Sequence, residues 1–130
     1  QTSPLVLVDA AHNPQGAAAL ADSLDILLPR RKKILVVGLL DDKDRGQTLN
    51  YLGRNTRAAI ITRPAGARSQ TWYQLEKTWQ QIFPAVQVMT IEDIVAAVNE
   101  ALTMVGENEY LLITGSFYVL DRARRIFINN

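Results

Sequence analysis

The sequence predicts a three-layer α/β sandwich built on a mainly parallel sheet. Five short apolar runs of strand length alternate with segments whose apolar residues recur at helical spacing. Each connection between successive strands is also long enough for the crossover that parallel pairing requires, and such crossovers are right-handed by default. We therefore expect one domain with helices on both faces of the sheet.

The first half of the chain predicts three strands and two helices. A continuous apolar run at residues 5–8 is typical of a strand buried on both faces. Pro14 suits the first turn of the next helix because its missing N–H leaves no bond unmade, and Pro29 ends that helix. The apolar stripe of this helix consists of Ala17, Leu20, Leu24, Leu27 and Leu28. A second strand at 34–37, a short helix at 48–54 and a third strand at 58–62 follow.

The second half predicts two further strand–helix units. Ser69 ends a loop at 63–69 as the expected N-cap of a helix. One face of that helix carries Trp72, Leu75, Trp79 and Ile82. After a fourth strand at 86–89, Thr90 and Asp93 have the spacing of a capping box. The helix that follows has a stripe formed by Ile94, Val98, Ala101, Leu102 and Val105. A fifth strand is predicted at 110–113, whereas 117–127 fits either a helix or a helix followed by a short strand.

Composition excludes several classes of function. The 130 residues contain no cysteine and one histidine, which excludes a disulfide framework, a cysteine nucleophile and a thiolate or multi-histidine metal site. A formal net charge of +1 gives no footprint for binding nucleic acid or an anionic membrane. Because no run approaches the roughly 20 apolar residues of a membrane span and no signal-peptide pattern is present, we expect a cytoplasmic protein. The chain lacks an initiator methionine, so we expect it to be part of a larger protein.

Polar clusters follow three of the predicted strands. Asp9, His12 and Asn13 come after the first, residues 41–44 (Asp-Asp-Lys-Asp) after the second, and residues 114–116 (Thr-Gly-Ser) after the fifth. Parallel strands bring their carboxyl ends to one edge, where open α/β sheets bind ligands. Carboxylates, an imidazole, an ammonium and hydroxyls at one edge suit an anionic or nucleotide ligand.

Each cluster also has a purely structural interpretation. Asp9 could cap the following helix, and His12 could be an ordinary surface histidine. Residues 41–44 could form a solvated turn, and Gly115 and Ser116 could simply form a turn before a helix.

Several other chemistries lack their motifs. The sequence has no G-x-G-x-x-G after the first strand and no G-x-x-x-x-G-K-[ST], so neither a dinucleotide fingerprint nor a P-loop is present. A serine hydrolase would have to pair His12 with Ser116 without a nucleophile elbow. Trp72 and Trp79 lie seven residues apart on one helix face, which favours core packing over base stacking.

Taken together, the clusters resemble the folylpolyglutamate synthase and dihydrofolate synthase branch of the Mur ligase family. Residues 8–14 resemble its Asp-Gly-Ala-His-Asn-Pro segment, with Ala10 in place of glycine. Residues 38–44 resemble Gly-x-x-x-Asp-Lys-Asp, and residues 114–118 resemble Thr-Gly-Ser-Leu-Tyr, with Phe117 in place of leucine. The resemblance covers only the carboxyl-terminal domain of those enzymes and implies its Rossmann-like fold.

The resemblance also implies a reaction. ATP phosphorylates a carboxylate of folate or dihydropteroate, and the amino group of L-glutamate then attacks the acyl phosphate. An amino-terminal domain outside this chain would carry the P-loop and most ligands of Mg²⁺, so the isolated domain is expected to be inactive. By this resemblance Asp9, His12 and Asn13 contact ATP, and Lys43, Ser116 and Arg68 contact glutamate or another anion. Lys43 and His12 would be the catalytic residues.

Two alternatives remain open at this point. The chain could belong to a ligase of the same superfamily that adds amino acids to cell-wall precursors. It could also be a noncatalytic α/β binding module, in which case the full-length protein would lack a P-loop.

Overall fold

A single parallel sheet organises the structure. The computed structural model describes residues 4–64 and 66–115. Its strands, numbered β1 to β5, are Leu5–Asp9, Lys33–Gly38, Thr56–Ile61, Gln87–Thr90 and Tyr110–Gly115. They lie in the order β1-β5-β2-β3-β4, and every neighbouring pair is parallel. All five carboxyl ends therefore point toward the same edge of the sheet.

Helices cover both faces of this sheet. They are numbered α1 to α4 and span Pro14–Leu27, Arg45–Leu52, Leu75–Ile82 and Ile94–Met104. Helices α1, α2 and α3 share one core cluster that includes Leu35, Leu49 and Trp79. On the opposite face the buried Val98 of α4 belongs to a second core cluster that includes Ile34 and Ile60. These two cores confirm the predicted three-layer α/β sandwich. Within the described ranges no helix is long and apolar enough to cross a membrane.

Burial differs between the central and the outer strands. Strands β2 and β5 are buried along their whole length, as the apolar runs predict. The same prediction is wrong for β1, whose Leu5 is exposed and whose other residues are half-buried. This strand pairs with β5 alone in the described sheet, and an apolar run does not distinguish a central strand from such an outer one. Leu27, predicted to face the core, is 72% exposed at the last turn of α1.

Helix starts are where the structure departs most from the predicted elements. Helix α2 begins at Arg45 and not at residue 48. The predicted N-cap role of Ser69 is wrong, because two 3₁₀ turns, Ala67–Ser69 and Trp72–Gln74, precede α3. Thr90 ends β4, so the capping box is wrong as well. Asp93 caps α4 instead, with its side chain accepting a hydrogen bond from the amide of Ala96. The segment 117–127 lies outside the described residues.

A buried lysine closes the edge of the sheet opposite the carboxyl ends. Lys33 is 3% exposed and donates its ammonium to the carbonyl of Arg54. Burial lowers the pKa of Lys33 to about 8, although the charge of Asp25 partly opposes this shift. The folded protein therefore binds the proton on Lys33 less tightly than the unfolded chain does.

Replacing this lysine should stabilise the fold. Between pH 8 and the unfolded pKa near 10.5 the unfolded state binds more protons, so the wild-type free energy of unfolding rises with pH. Below pH 8 Lys33 is protonated in both the folded and the unfolded state, so its destabilising effect no longer changes with pH. We expect Lys33→Met to raise the free energy of unfolding by about 1–3 kcal/mol at pH 7. Urea denaturation at pH 7.0 to 9.5 should show this gain shrinking as pH rises. A destabilised variant at pH 7 would contradict the expectation.

Candidate functional site

An open cleft lies at the carboxyl edge of the sheet, with a volume of about 430 Å³. Its walls come from the β1–α1 turn, from the loop after β2 with the first turn of α2, and from the segment after β3. The lining residues are His12, Asn13, Pro14, Leu39, Leu40, Asp42, Asp44, Arg45, Thr48 and Arg68. This is the edge where the sequence predicts a ligand site.

The turn after β1 is held by its own polar side chains. Oδ1 of Asp9 accepts a hydrogen bond from the amide of Ala11 at 2.9 Å. Asn13 caps α1, because its Oδ1 accepts from the amide of Gly16 at 2.8 Å. The alternative in which Asp9 caps the helix is therefore wrong. Ala10, which replaces the family glycine, causes no strain, because its φ is not positive. In the described part of the chain Asn55 is the non-glycine residue with positive φ.

His12 is exposed and lines the cleft. Its Nδ1 lies 2.9 Å from the carbonyl oxygen of Ala10. Since a carbonyl oxygen only accepts hydrogen bonds, Nδ1 carries the proton in this contact. Nε2 then remains available to a ligand.

Asp41 links the loop after β2 to the segment after β3. Its carboxylate accepts hydrogen bonds from the amides of Gln70 and Thr71 and from the Thr71 hydroxyl, the last at 2.7 Å. Arg45 forms an ion pair with the same carboxylate at 3.3 Å. Burial disfavours the charged carboxyl, but the bonds from Thr71, the charge of Arg45 and the bond from Gln70 together lower the pKa of Asp41. The Asp41 carboxylate therefore connects two loops, and the interpretation as a solvated turn is wrong for this residue.

The next residues of this loop are exposed. Asp42 faces Arg68 at 3.8 Å in a pair whose side chains are more than half exposed. Such a pair contributes little to stability, so the Arg68 guanidinium can exchange Asp42 for a ligand anion. Lys43 forms no hydrogen bond or ion pair with the described part of the chain, and its side chain does not line the cleft.

The end of β5 comes very close to β2. Gly115 has φ of +130° and lies in register with Gly38. A Cβ atom at Gly115 would lie 2.1 Å from the carbonyl oxygen of Gly38, so only glycine fits there. The preceding Thr114 is buried and donates its hydroxyl to the carbonyl of Ala11 at 3.2 Å. This bond connects β5 to the turn that carries His12.

The structure brings together part of the predicted site. His12, Asn13 and Arg68 line one cleft. Asp9 is half-buried behind it, Lys43 is exposed beside it, and Ser116 lies outside the described residues. Sequence reasoning missed Arg45, a cation that follows Asp41 by four residues and pairs with it although Asp41 lies before α2.

The cleft does not form a magnesium site by itself. Mg²⁺ prefers octahedral oxygen coordination, usually from one or two carboxylates together with water and substrate phosphates. Asp42 and Asp44 line the cleft, but Asp42 already faces Arg68. Within residues 4–64 and 66–115 no group of three or more His, Cys, Asp or Glu side chains could hold a metal ion.

Comparison with known proteins identifies the family. Residues 1–117 match the family model described as Mur ligase, glutamate ligase domain. The chain belongs to this family. It is 29% identical over 122 residues to the dihydrofolate synthase/folylpolyglutamate synthase of Haemophilus influenzae, an alignment that covers 92% of this chain and 28% of that protein. A probable bifunctional folylpolyglutamate synthase/dihydropteroate synthase of Haloferax volcanii is 31% identical, over 95% of this chain and 14% of that protein.

Solved structures agree with this glutamate ligase domain. The folylpolyglutamate synthase of Mycobacterium tuberculosis complexed with ADP matches with a TM-score of 0.85 at 28% identity, over 100% of this chain and 31% of that one. A bifunctional folylpolyglutamate synthase/dihydrofolate synthase with Mn, AMPPNP and L-glutamate bound matches with a TM-score of 0.82 at 25% identity, over 100% and 30%. The chain therefore spans less than a third of the length of these relatives.

Proposed function

We propose that this glutamate ligase domain works within a longer ATP-dependent ligase that adds L-glutamate to folate or dihydropteroate through an acyl phosphate. The observation that carries the proposal is the match over residues 1–117 to the glutamate ligase domain family. Its support comes from a relative of the same fold that holds AMPPNP and L-glutamate. The polar cleft at the carboxyl edge is the candidate contact surface for these ligands in this chain.

The turn after β1 would contact the nucleotide. We assign Asp9 to the ribose hydroxyls, with its second carboxylate oxygen, since Oδ1 is used by Ala11. His12 would accept a hydrogen bond at Nε2, because Nδ1 is used by Ala10. Asn13 would donate from its amide group while its oxygen caps α1. Each of these three side chains thus has one polar group available to the ligand, in addition to the group that stabilises the turn.

The remaining predicted residues would serve the amino-acid substrate. Lys43, with no partner in the described part of the chain, would stabilise the charge that develops when the glutamate amine attacks, as well as the glutamate carboxylates. Ser116 would bind a carboxylate of glutamate, and Arg68 would supply a second cation on the cleft wall. His12 would complete the catalytic set.

A second domain of the longer protein would complete the active site. We assign to it the P-loop, the Mg²⁺ ligands and most folate contacts, since this chain contains neither a P-loop motif nor, in its described part, a metal-binding group. Closure of the two domains would exclude water from the acyl phosphate and orient the amine. We place this reaction in the cytoplasm, where folate is used in one-carbon metabolism.

One assay separates this proposal from its alternatives. The full-length protein is incubated with ATP, Mg²⁺, L-glutamate and either folate or dihydropteroate, and the release of ADP and the glutamylated product are measured. We expect both to form, and we expect none from the 130-residue chain alone. Activity only with a cell-wall precursor would favour that branch of the superfamily. A full-length protein that hydrolyses no ATP with any of these acceptors would support a noncatalytic module.

A further inference from the structure

Asp41 lies behind the cleft and contacts both arginines that line it. Its carboxylate forms the ion pair with Nη1 of Arg45. Its own amide donates to the carbonyl of Arg68 at 2.6 Å. Asp41 does not line the cleft, whereas Arg45 and Arg68 do. Asp41 can therefore act on a ligand through these two residues without touching the ligand itself.

The carboxylate also fixes the backbone that follows Arg68. Both of its oxygens accept backbone hydrogen bonds, Oδ2 from Gln70 at 3.0 Å and Oδ1 from Thr71 at 3.1 Å. The hydroxyl of Thr71 adds a third bond. Hydrogen bonds to an ionised acceptor are stronger than bonds between neutral groups, so the backbone at Gln70 and Thr71 is held firmly.

The segment that carries Arg68 has a second, independent set of contacts. Ser69 donates its hydroxyl to the carbonyl of Gly66 at 2.7 Å and accepts from Nε of Arg63 at 3.1 Å. Arg63 in turn pairs with Glu92 at 3.0 Å. Loss of the Asp41 carboxylate contacts should therefore shift Arg68 without unfolding the segment.

We propose that Asp41 is a positioning residue that holds Arg45 and Arg68 together as a two-arginine anion subsite of the cleft. The inference rests on the proposed function, because the anion would be either a phosphate of the nucleotide or a carboxylate of the amino acid. Guanidinium groups suit both anions, because they donate several charge-assisted hydrogen bonds from one planar group. Arg45 uses one N–H of Nη1 for Asp41 and one of Nη2 for Gln74, which leaves three of its five donors for an anion. The family resemblance assigns Arg68 to glutamate or another anion, and it assigns Asp41 and Arg45 to no ligand.

A double-mutant cycle in the full-length protein tests this role. ADP affinity is measured by calorimetry, and kcat and KM for L-glutamate are measured in the ligation assay. We expect Asp41→Asn to weaken one of the two ligands roughly tenfold, the scale of one charge-assisted hydrogen bond, while kcat changes little. In a background carrying Arg45→Ala and Arg68→Ala, the same substitution should change that affinity less than about twofold. Loss of ADP affinity identifies a phosphate subsite, and a raised glutamate KM identifies a carboxylate subsite.

Two further variants keep the test interpretable. Thr71→Val removes one donor to Asp41 without touching the cleft lining, and we expect a smaller loss that also vanishes in the double-arginine background. Asp22→Asn is the matched control, because Asp22 is an exposed acid on α1 that pairs with Arg54. It should leave both ligands unaffected.

The outcomes separate this inference from the proposed function. An Asp41→Asn effect of equal size in both backgrounds, or no effect at all, would overturn the positioning role. Ligation with unchanged ADP affinity and glutamate KM in the double-arginine variant would overturn the subsite and leave the proposed function intact. A wild-type protein that neither ligates glutamate nor binds ADP would overturn both.

Discussion

Gly115→Ala is expected to destabilise the protein by about 3 kcal/mol or more. The new Cβ atom would lie 2.1 Å from the carbonyl oxygen of Gly38. That oxygen belongs to the backbone of β2, which is paired with β5, so it cannot move without disturbing two central strands. The positive φ of Gly115 adds strain for any residue with a Cβ atom. Urea denaturation followed by circular dichroism measures the loss.

A second glycine provides the matched control for this substitution. Gly46 lies in the first turn of α2, and a Cβ atom there would meet Thr78 at an ordinary 3.6 Å. Alanine also favours a helix over glycine by about 1 kcal/mol, so Gly46→Ala should leave stability unchanged or raised. A Gly115→Ala protein as stable as wild type would mean that the Gly38 carbonyl oxygen does not lie in the space that a Cβ atom at residue 115 would occupy.

The sequence was sufficient to predict the fold because its signals are local and repeated. Each apolar run and each helical stripe reports burial on its own, and the alternation of the two restricts the topology to a parallel sheet with crossovers. The residue at which each helix begins is harder to predict. Thr90 has the residue spacing of a capping box, but the backbone is still extended there, and Asp93 makes the cap. Propensity identifies residues able to cap a helix and cannot choose between neighbours.

The candidate site could be predicted only in part, because its lining depends on contacts between distant segments. His12 and Asn13 follow a strand directly, so topology alone brings them to the edge of the sheet. Arg45 lines the cleft because α2 begins earlier than its apolar pattern indicates. Arg68 joins it through the bonds between Asp41 and the turn at Gln70 and Thr71, about 30 residues along the chain. No local pattern predicts that contact.

Lys43→Ala is expected to lower kcat of the full-length enzyme by about 10²- to 10³-fold, the usual cost of removing a group that stabilises developing charge. Lys43 forms no hydrogen bond or ion pair with residues 4–64 and 66–115, so its ammonium is available to a substrate. The adjoining backbone is fixed, because the amide of Asp44 donates to Oδ1 of Asp42 at 3.0 Å. Steady-state ligation kinetics with varied L-glutamate separate a fall in kcat from a rise in KM.

The structure makes a loss of activity at this position interpretable. Because Lys43 is exposed and unpaired within the described ranges, its truncation should change the free energy of unfolding by no more than about 0.5 kcal/mol. Lys77→Ala removes another exposed lysine, from α3 and away from the cleft lining, and should leave kcat unchanged. Lys43→Arg keeps the charge but not the compact ammonium, so partial activity is expected. If Lys43→Ala folds normally and retains kcat within twofold of wild type, Lys43 is not a catalytic residue and the charge that develops during attack is stabilised by the second domain.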